Sequence, residues 1–130
     1  MKKILNIIFI IFLLISCKKE PKEYSSISGQ WRCEENSNTT PKVYTIDIEK
    51  STSSNNRYAI YNFNNEGTEE KVYSLLRNDT LIIDAQFIGS GTISVEGFGF
   101  VSADKKTMRL EYELTEGTGV RSILSTCTHQ

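Results

Sequence analysis

Between residues 108 and 114 the chain reads Met-Arg-Leu-Glu-Tyr-Glu-Leu, apolar side chains alternating strictly with charged ones. A period of two sends successive side chains to opposite faces of an extended backbone, so this segment is a strand with one dry face and one wet face. Tyr44, Ile46 and Ile48 alternate with Thr45, Asp47 and Glu49 in the same way. Residues 58–63 and 80–84 carry the β-branched and aromatic side chains that strands favour. Polar breaks at 51–56, 64–67, 78–79, 102–106 and 116–119 punctuate these runs. About eight strands are expected, near 29–35, 42–50, 57–64, 70–77, 80–87, 91–101, 107–115 and 119–128. Segment 68–77 also fits a capped helix with Val72, Leu75 and Leu76 on one face, but its place before the Asn78-Asp79 hairpin signal favours a strand. Short strands with turns between them specify an all-β antiparallel meander, closed as a barrel or stacked as a sandwich. Glycines at 89, 91, 97 and 99 suit sharp curvature or close backbone approach. Gly89-Ser90-Gly91 lacks the continuation of a dinucleotide fingerprint, and no P-loop lysine follows it.

The amino-terminal segment follows a different logic. Met1-Lys2-Lys3 precedes an apolar run over 4–15. That run is shorter than the roughly 20 residues of a membrane-spanning helix and reads as an export signal. Leu14-Ile15-Ser16-Cys17 resembles the lipobox of a bacterial lipoprotein signal. The resemblance implies removal of residues 1–16 and a lipid, palmitate included, on Cys17. Lys2 and Lys3 leave with the signal, so 15 basic residues become 13 against 16 acidic ones. No basic patch remains to neutralise phosphates, which argues against nucleic acid as a partner. Attachment to the membrane then rests on the acyl chains of Cys17. Residues 17–26 are expected to form the lipidated cysteine and a charged, Pro21-containing tether, and 27–130 a single domain. Lys18, in place of aspartate, resembles outer-membrane sorting, and the charges around it resemble surface-export signals of Bacteroidota lipoproteins. The periplasmic face and the cell surface both stay open. With Cys17 acylated, Cys33 and Cys127 are an even pair, 94 positions apart, in an oxidising compartment. They are disulfide candidates, with two separate thiols as the alternative.

Gly29-x-Trp31, at the start of the first strand, resembles the opening signature of lipocalin-like (calycin) barrels. The resemblance implies an eight-stranded antiparallel meander barrel with Trp31 closing its floor and Arg121, from the last strand, stacked across the indole. The wider layout resembles the small lipocalin-like lipoproteins of Bacteroidota, through Tyr61-Asn62-Phe63, Leu81-Ile82-Ile83 before Gln86, and Gly89-x-Gly91. The Thr-Asp-Tyr second motif of lipocalins and a helix after the barrel are missing, which argues against a large cavity. Tyr44, Tyr58, Tyr61, Phe63, Tyr73 and Tyr112 are candidate ligand-lining residues: the interior packs solid or encloses one small ligand, or the aromatics, Phe87, Phe98 and Phe100 among them, form a shallow apolar pocket or a face for glycan or peptide contact. Asp79-Thr80-Leu81 resembles an O-glycosylation site of exported Bacteroidota proteins, which makes Thr80 a candidate; the turn role of Asn78-Asp79 explains the same residues.

Chemistry finds little footing. His129, the only histidine, is second from the end of the chain and is expected to be solvated. Ser90 and Ser94 lack a nucleophile elbow, and two distant cysteines with a terminal histidine do not match zinc spacing. Asp47, Glu49, Glu111 and Glu113 alternate with apolar residues and read as an outward, solvated face. No catalytic residue, cofactor or metal is therefore expected. The chain reads as a monomeric, outer-membrane-anchored module that binds a small apolar or amphipathic ligand or an envelope component. The alternative is an inhibitor or immunity-type lipoprotein that grips another protein through exposed loops. A hydrolase using strand carboxylates ranks third.

Overall fold

A computed structural model describes residues 24–36 and 40–130. Eight strands follow in chain order: β1 (Gly29–Glu35), β2 (Val43–Lys50), β3 (Arg57–Tyr61), β4 (Lys71–Arg77), β5 (Thr80–Ile88), β6 (Ile93–Val101), β7 (Thr107–Glu116) and β8 (Gly119–His129). Each pairs antiparallel with the next, and β8 returns to β1, closing the meander into an all-β barrel. Closure matters because an open sheet would present unpaired backbone groups at two edges. The 71–77 segment is a strand and not a helix. Strand β3 stops three residues earlier than the sequence suggested. Asn62, Asn64 and Asn65 take positive φ of 55°, 54° and 62°, a region asparagine tolerates, and a 3-10 turn forms at Phe63–Asn65.

Alternation along each strand decides what enters the barrel. Trp31, Ile46, Ile60, Val72, Leu81, Val95, Leu110 and Ile123 all face inward and are buried. Side chains from every strand thus meet across the axis, as in small barrels whose interior is packed. Cys33 and Cys127 are registered partners on β1 and β8, with Cα atoms 4.0 Å apart, and form a disulfide. The bond therefore joins the two strands whose pairing closes the barrel.

The floor departs from expectation. Trp31 is buried and donates its indole N–H to the Ile27 carbonyl at 2.9 Å. Arg121 does not stack on it. Arg121 pairs with Leu114 at the opposite end of the barrel, eight residues or about 26 Å along β8 from the floor. The ring across Trp31 belongs to His129, with centroids 4.3 Å apart and planes 15° from parallel. Tyr24 also stacks on that imidazole, at 3.8 Å and 15°, and its hydroxyl donates to the His129 carbonyl. His129 is 7% exposed, and the expectation of a solvated tail is corrected. Strand β8 runs to the last residue but one, which brings the ring under Trp31. The end of the expected tether is likewise packed: Tyr24 lies against the floor. Cys17 lies outside the described residues.

Candidate functional site

At the end of the barrel away from Trp31, the interior aromatics engage one another. The Tyr112 hydroxyl donates to Asn64 Oδ1 at 3.0 Å. An amide oxygen only accepts, so in the 3.2 Å contact between the phenols Tyr44 is the donor and Tyr112 the acceptor. Asn64 Nδ2 passes the chain on to Glu66 Oε1 at 2.7 Å. Phe63 packs against Tyr112, ring centroids 4.6 Å apart. Burial pushes both phenols above their ordinary pKa, Tyr112 further than Tyr44. Tyr58 is buried as well. These four aromatics fill and plug the barrel.

Tyr61 and Tyr73 do not join them, which corrects their assignment to the interior. Ile60 and Val72 occupy the inward positions on β3 and β4, so their neighbours must point out. Tyr73 is 57% exposed. Lys71 Nζ lies 5.4 Å from the Tyr61 ring centroid and 5.6 Å from that of Tyr73. The Tyr73 phenol, then the charges of both tyrosines, hold this lysine above its usual pKa. Thr80 opens β5 between Arg77 and Phe100, half-buried on the outer face.

A further site also lies outside the barrel, on the outer face of β5–β8. Its position depends on two irregularities. Ile83 pairs with Gly97 and Gln86 with Val95, so Asp84 and Ala85 together face the single residue Glu96 across a β-bulge. On the other side of β5, beyond the last registered pair with β4 at Leu75 and Ile82, the Gln86 side chain takes the place of backbone pairing: its amide donates to the Tyr73 carbonyl at 2.8 Å and accepts the Tyr73 N–H at 2.7 Å. On β6, a Cβ at Gly97 would lie 2.2 Å from the Glu111 carbonyl oxygen and 2.5 Å from Tyr112 Cβ. Strands β6 and β7 therefore approach more closely than any side chain allows.

Around these features a groove of about 690 Å³ opens, lined on its outward side by Ile82, Asp84, Ala85, Glu96, Phe98, Arg109, Glu111, Glu113, Ser122 and Leu124. Phe98 is 49% exposed and stacks beside Phe100, over which Arg109 lies. Arg109 is ion-paired with Glu111. Glu96 and Glu113 stand directly opposite each other across β6 and β7. A second groove of about 260 Å³ shares Ile82, Asp84 and Ala85 with the first. A third, of about 350 Å³, meets the second at Arg57 and Tyr73. The outer face from β8 round to β3 is thus a series of adjoining hollows.

The alternation in the sequence puts Glu111 and Glu113 on this outward face, and Phe98 is among its candidate contact aromatics, but Glu96 and Leu124 are not singled out there. The signal was present in Val95-Glu96-Gly97-Phe98-Gly99-Phe100-Val101: the valines claim the inward positions, which leaves Glu96, Phe98 and Phe100 outside. Among the described residues, no three histidine, cysteine or acidic side chains are placed to share a metal ion. No family model and no curated protein sequence matches this chain.

Proposed function

We propose that this chain is a lipid-anchored, lipocalin-like binding module of the bacterial outer membrane, which takes an apolar or amphipathic ligand on the outside of its barrel. The groove on β5–β8 carries this reading. A volume of about 690 Å³ falls within the range of sites that hold small ligands, and its walls combine exposed Phe98 and Leu124 with ionised groups. The inward aromatics speak for the same conclusion, because Tyr44, Phe63 and Tyr112 already satisfy one another. The closed meander and the placement of Trp31 on its floor support the lipocalin-like assignment. The sequence around Cys17 supports the anchor. A second reading, an inhibitor of another envelope protein, draws on Phe87 and Val120, which are 70% and 60% exposed beside the groove.

Photolabelling tests the site. A diazirine-bearing decyl alcohol added to the full chain in nonionic micelles is expected to mark Phe98 and Leu124, and Phe98→Ser to reduce the yield. Labels confined to Tyr44 and Tyr58 would return the ligand to the interior and overturn the outer-face reading. For the anchor, Cys17→Ala is expected to abolish palmitate incorporation in cells; undiminished incorporation sinks it.

A further inference from the structure

We propose that the outer groove of β5–β8 holds an extended cationic peptide with apolar, basic and apolar side chains at alternate positions. The inference rests on the outer-face reading and names the ligand class. Strand register arranges the outward side chains of this face in rows. Phe87, Ser94, Thr115 and Val120 form one row, apolar at both ends. The next holds Glu96, Glu113 and Ser122, with Asp84 in the bulge beside Glu96. The row after it holds Ile82, Phe98, Glu111 and Leu124. An acidic row therefore lies between one with apolar ends and one in which Ile82, Phe98 and Leu124 outnumber Glu111.

The spacing selects an extended occupant. Successive rows are two residues apart, about 6.7 Å, and an extended peptide repeats its same-face side chains at that interval. Laid along the strands, such a peptide sets its first apolar side chain near Phe87 or Val120. Its basic side chain then falls among the carboxylates, and the second apolar one against Phe98 and Leu124. The closed barrel offers no free strand edge here, so side chains and not backbone pairing do the recognising.

Charge selects a basic one. The groove contains Asp84, Glu96, Glu111 and Glu113 against Arg109 alone, and Arg109 is held by Glu111. Asp84, Glu96 and Glu113 have no ion-pair partner among the described residues. Like charges directly opposite each other, as Glu96 and Glu113 are, destabilise a sheet. A lysine or arginine seated between them removes that repulsion and leaves apolar flanks to be buried.

The test uses a dansyl-labelled peptide, Ser-Leu-Ser-Lys-Ser-Leu-Ser, titrated into the full chain in nonionic micelles and read by anisotropy. Replacing its lysine with glutamate, or both leucines with serine, is expected to weaken binding at least about tenfold. Glu96→Gln with Glu113→Gln should lose a similar factor while melting no lower than the parent, and salt raised from about 0.05 to about 0.5 M should weaken the parent complex. Equal binding of the lysine and glutamate peptides, or full binding by the double variant, overturns the proposal. So does failure of every peptide to bind while the decyl alcohol still labels Phe98, a result that leaves the outer-face reading standing. Alcohol labelling confined to the barrel interior instead removes the reading on which the proposal depends.

Discussion

His129 carries more of this fold than its place near the chain end suggests. Its ring lies between Tyr24 and Trp31, with Nδ1 2.9 Å from the Lys105 carbonyl and Nε2 3.1 Å from that of Ser28. Both partners only accept, so a neutral ring bonds one of them and the imidazolium bonds both. His129→Leu removes the ring's hydrogen bonding to these carbonyls and its stacking between Tyr24 and Trp31, and is expected to cost about 2–4 kcal/mol, read as a lower urea midpoint from the fluorescence of Trp31. The buried phenols make a second residue-scale prediction. Unfolded tyrosine titrates at about 10. Burial raises Tyr44 and Tyr112 above that value, so beyond it the unfolded chain gives up protons that the barrel retains. Stability is thus fully present below about pH 10 and declines as pH climbs past it. Urea midpoints measured up the alkaline range should fall, and Tyr112→Phe should flatten the slope. The role of His129 was not legible in the sequence, since the ring meets Trp31 only through pairing of the first strand with the last. Those positions are about a hundred residues apart, and no local pattern reports their register.

At the scale of the strand, hydrophobic alternation did most of the work. Met108, Leu110, Tyr112 and Leu114 point inward as their spacing implies, and the paired charges point out. Tyr61 and Tyr73 show where that reading failed. Their aromatic character suggested a lining role, whereas the phase of Ile60 and Val72 already placed them outside. The bulge at 84–85 was harder to foresee, because no residue type there marks the extra residue facing Glu96, and Gln86, whose amide bonds the Tyr73 backbone on β4, could have been any polar surface side chain. Gly97 tests the strand-level account. An added methyl there would meet the backbone oxygen of Glu111, which cannot swing aside. Gly97→Ala should therefore lower stability by at least about 2 kcal/mol in chemical denaturation and reduce labelling of the neighbouring groove. An unchanged denaturation midpoint would show that β6 and β7 can part there without penalty.

Across the whole molecule, the disulfide links residues 94 positions apart on the strands that meet to shut the barrel. Replacing Cys33 and Cys127 with serine is expected to lower stability by about 2–5 kcal/mol, measured by reversible thermal or urea unfolding. Two cysteines and an expected oxidising compartment make the pairing a candidate; their facing positions depend on closure and emerge only from the fold. The same closure brings both described chain ends together, Tyr24 against His129, at the floor. Anything joined directly at Tyr24 or after Gln130, whether an epitope, a fluorophore or a purification handle, therefore crowds one and the same pole. A handle on the carboxyl end also follows directly on Gln130, whose N–H continues the β1 pairing through the Gln30 carbonyl. The tight turn at Gly117 and Thr118 lies at the opposite pole, and that is where a reporter can be grafted without disturbing the root of the chain.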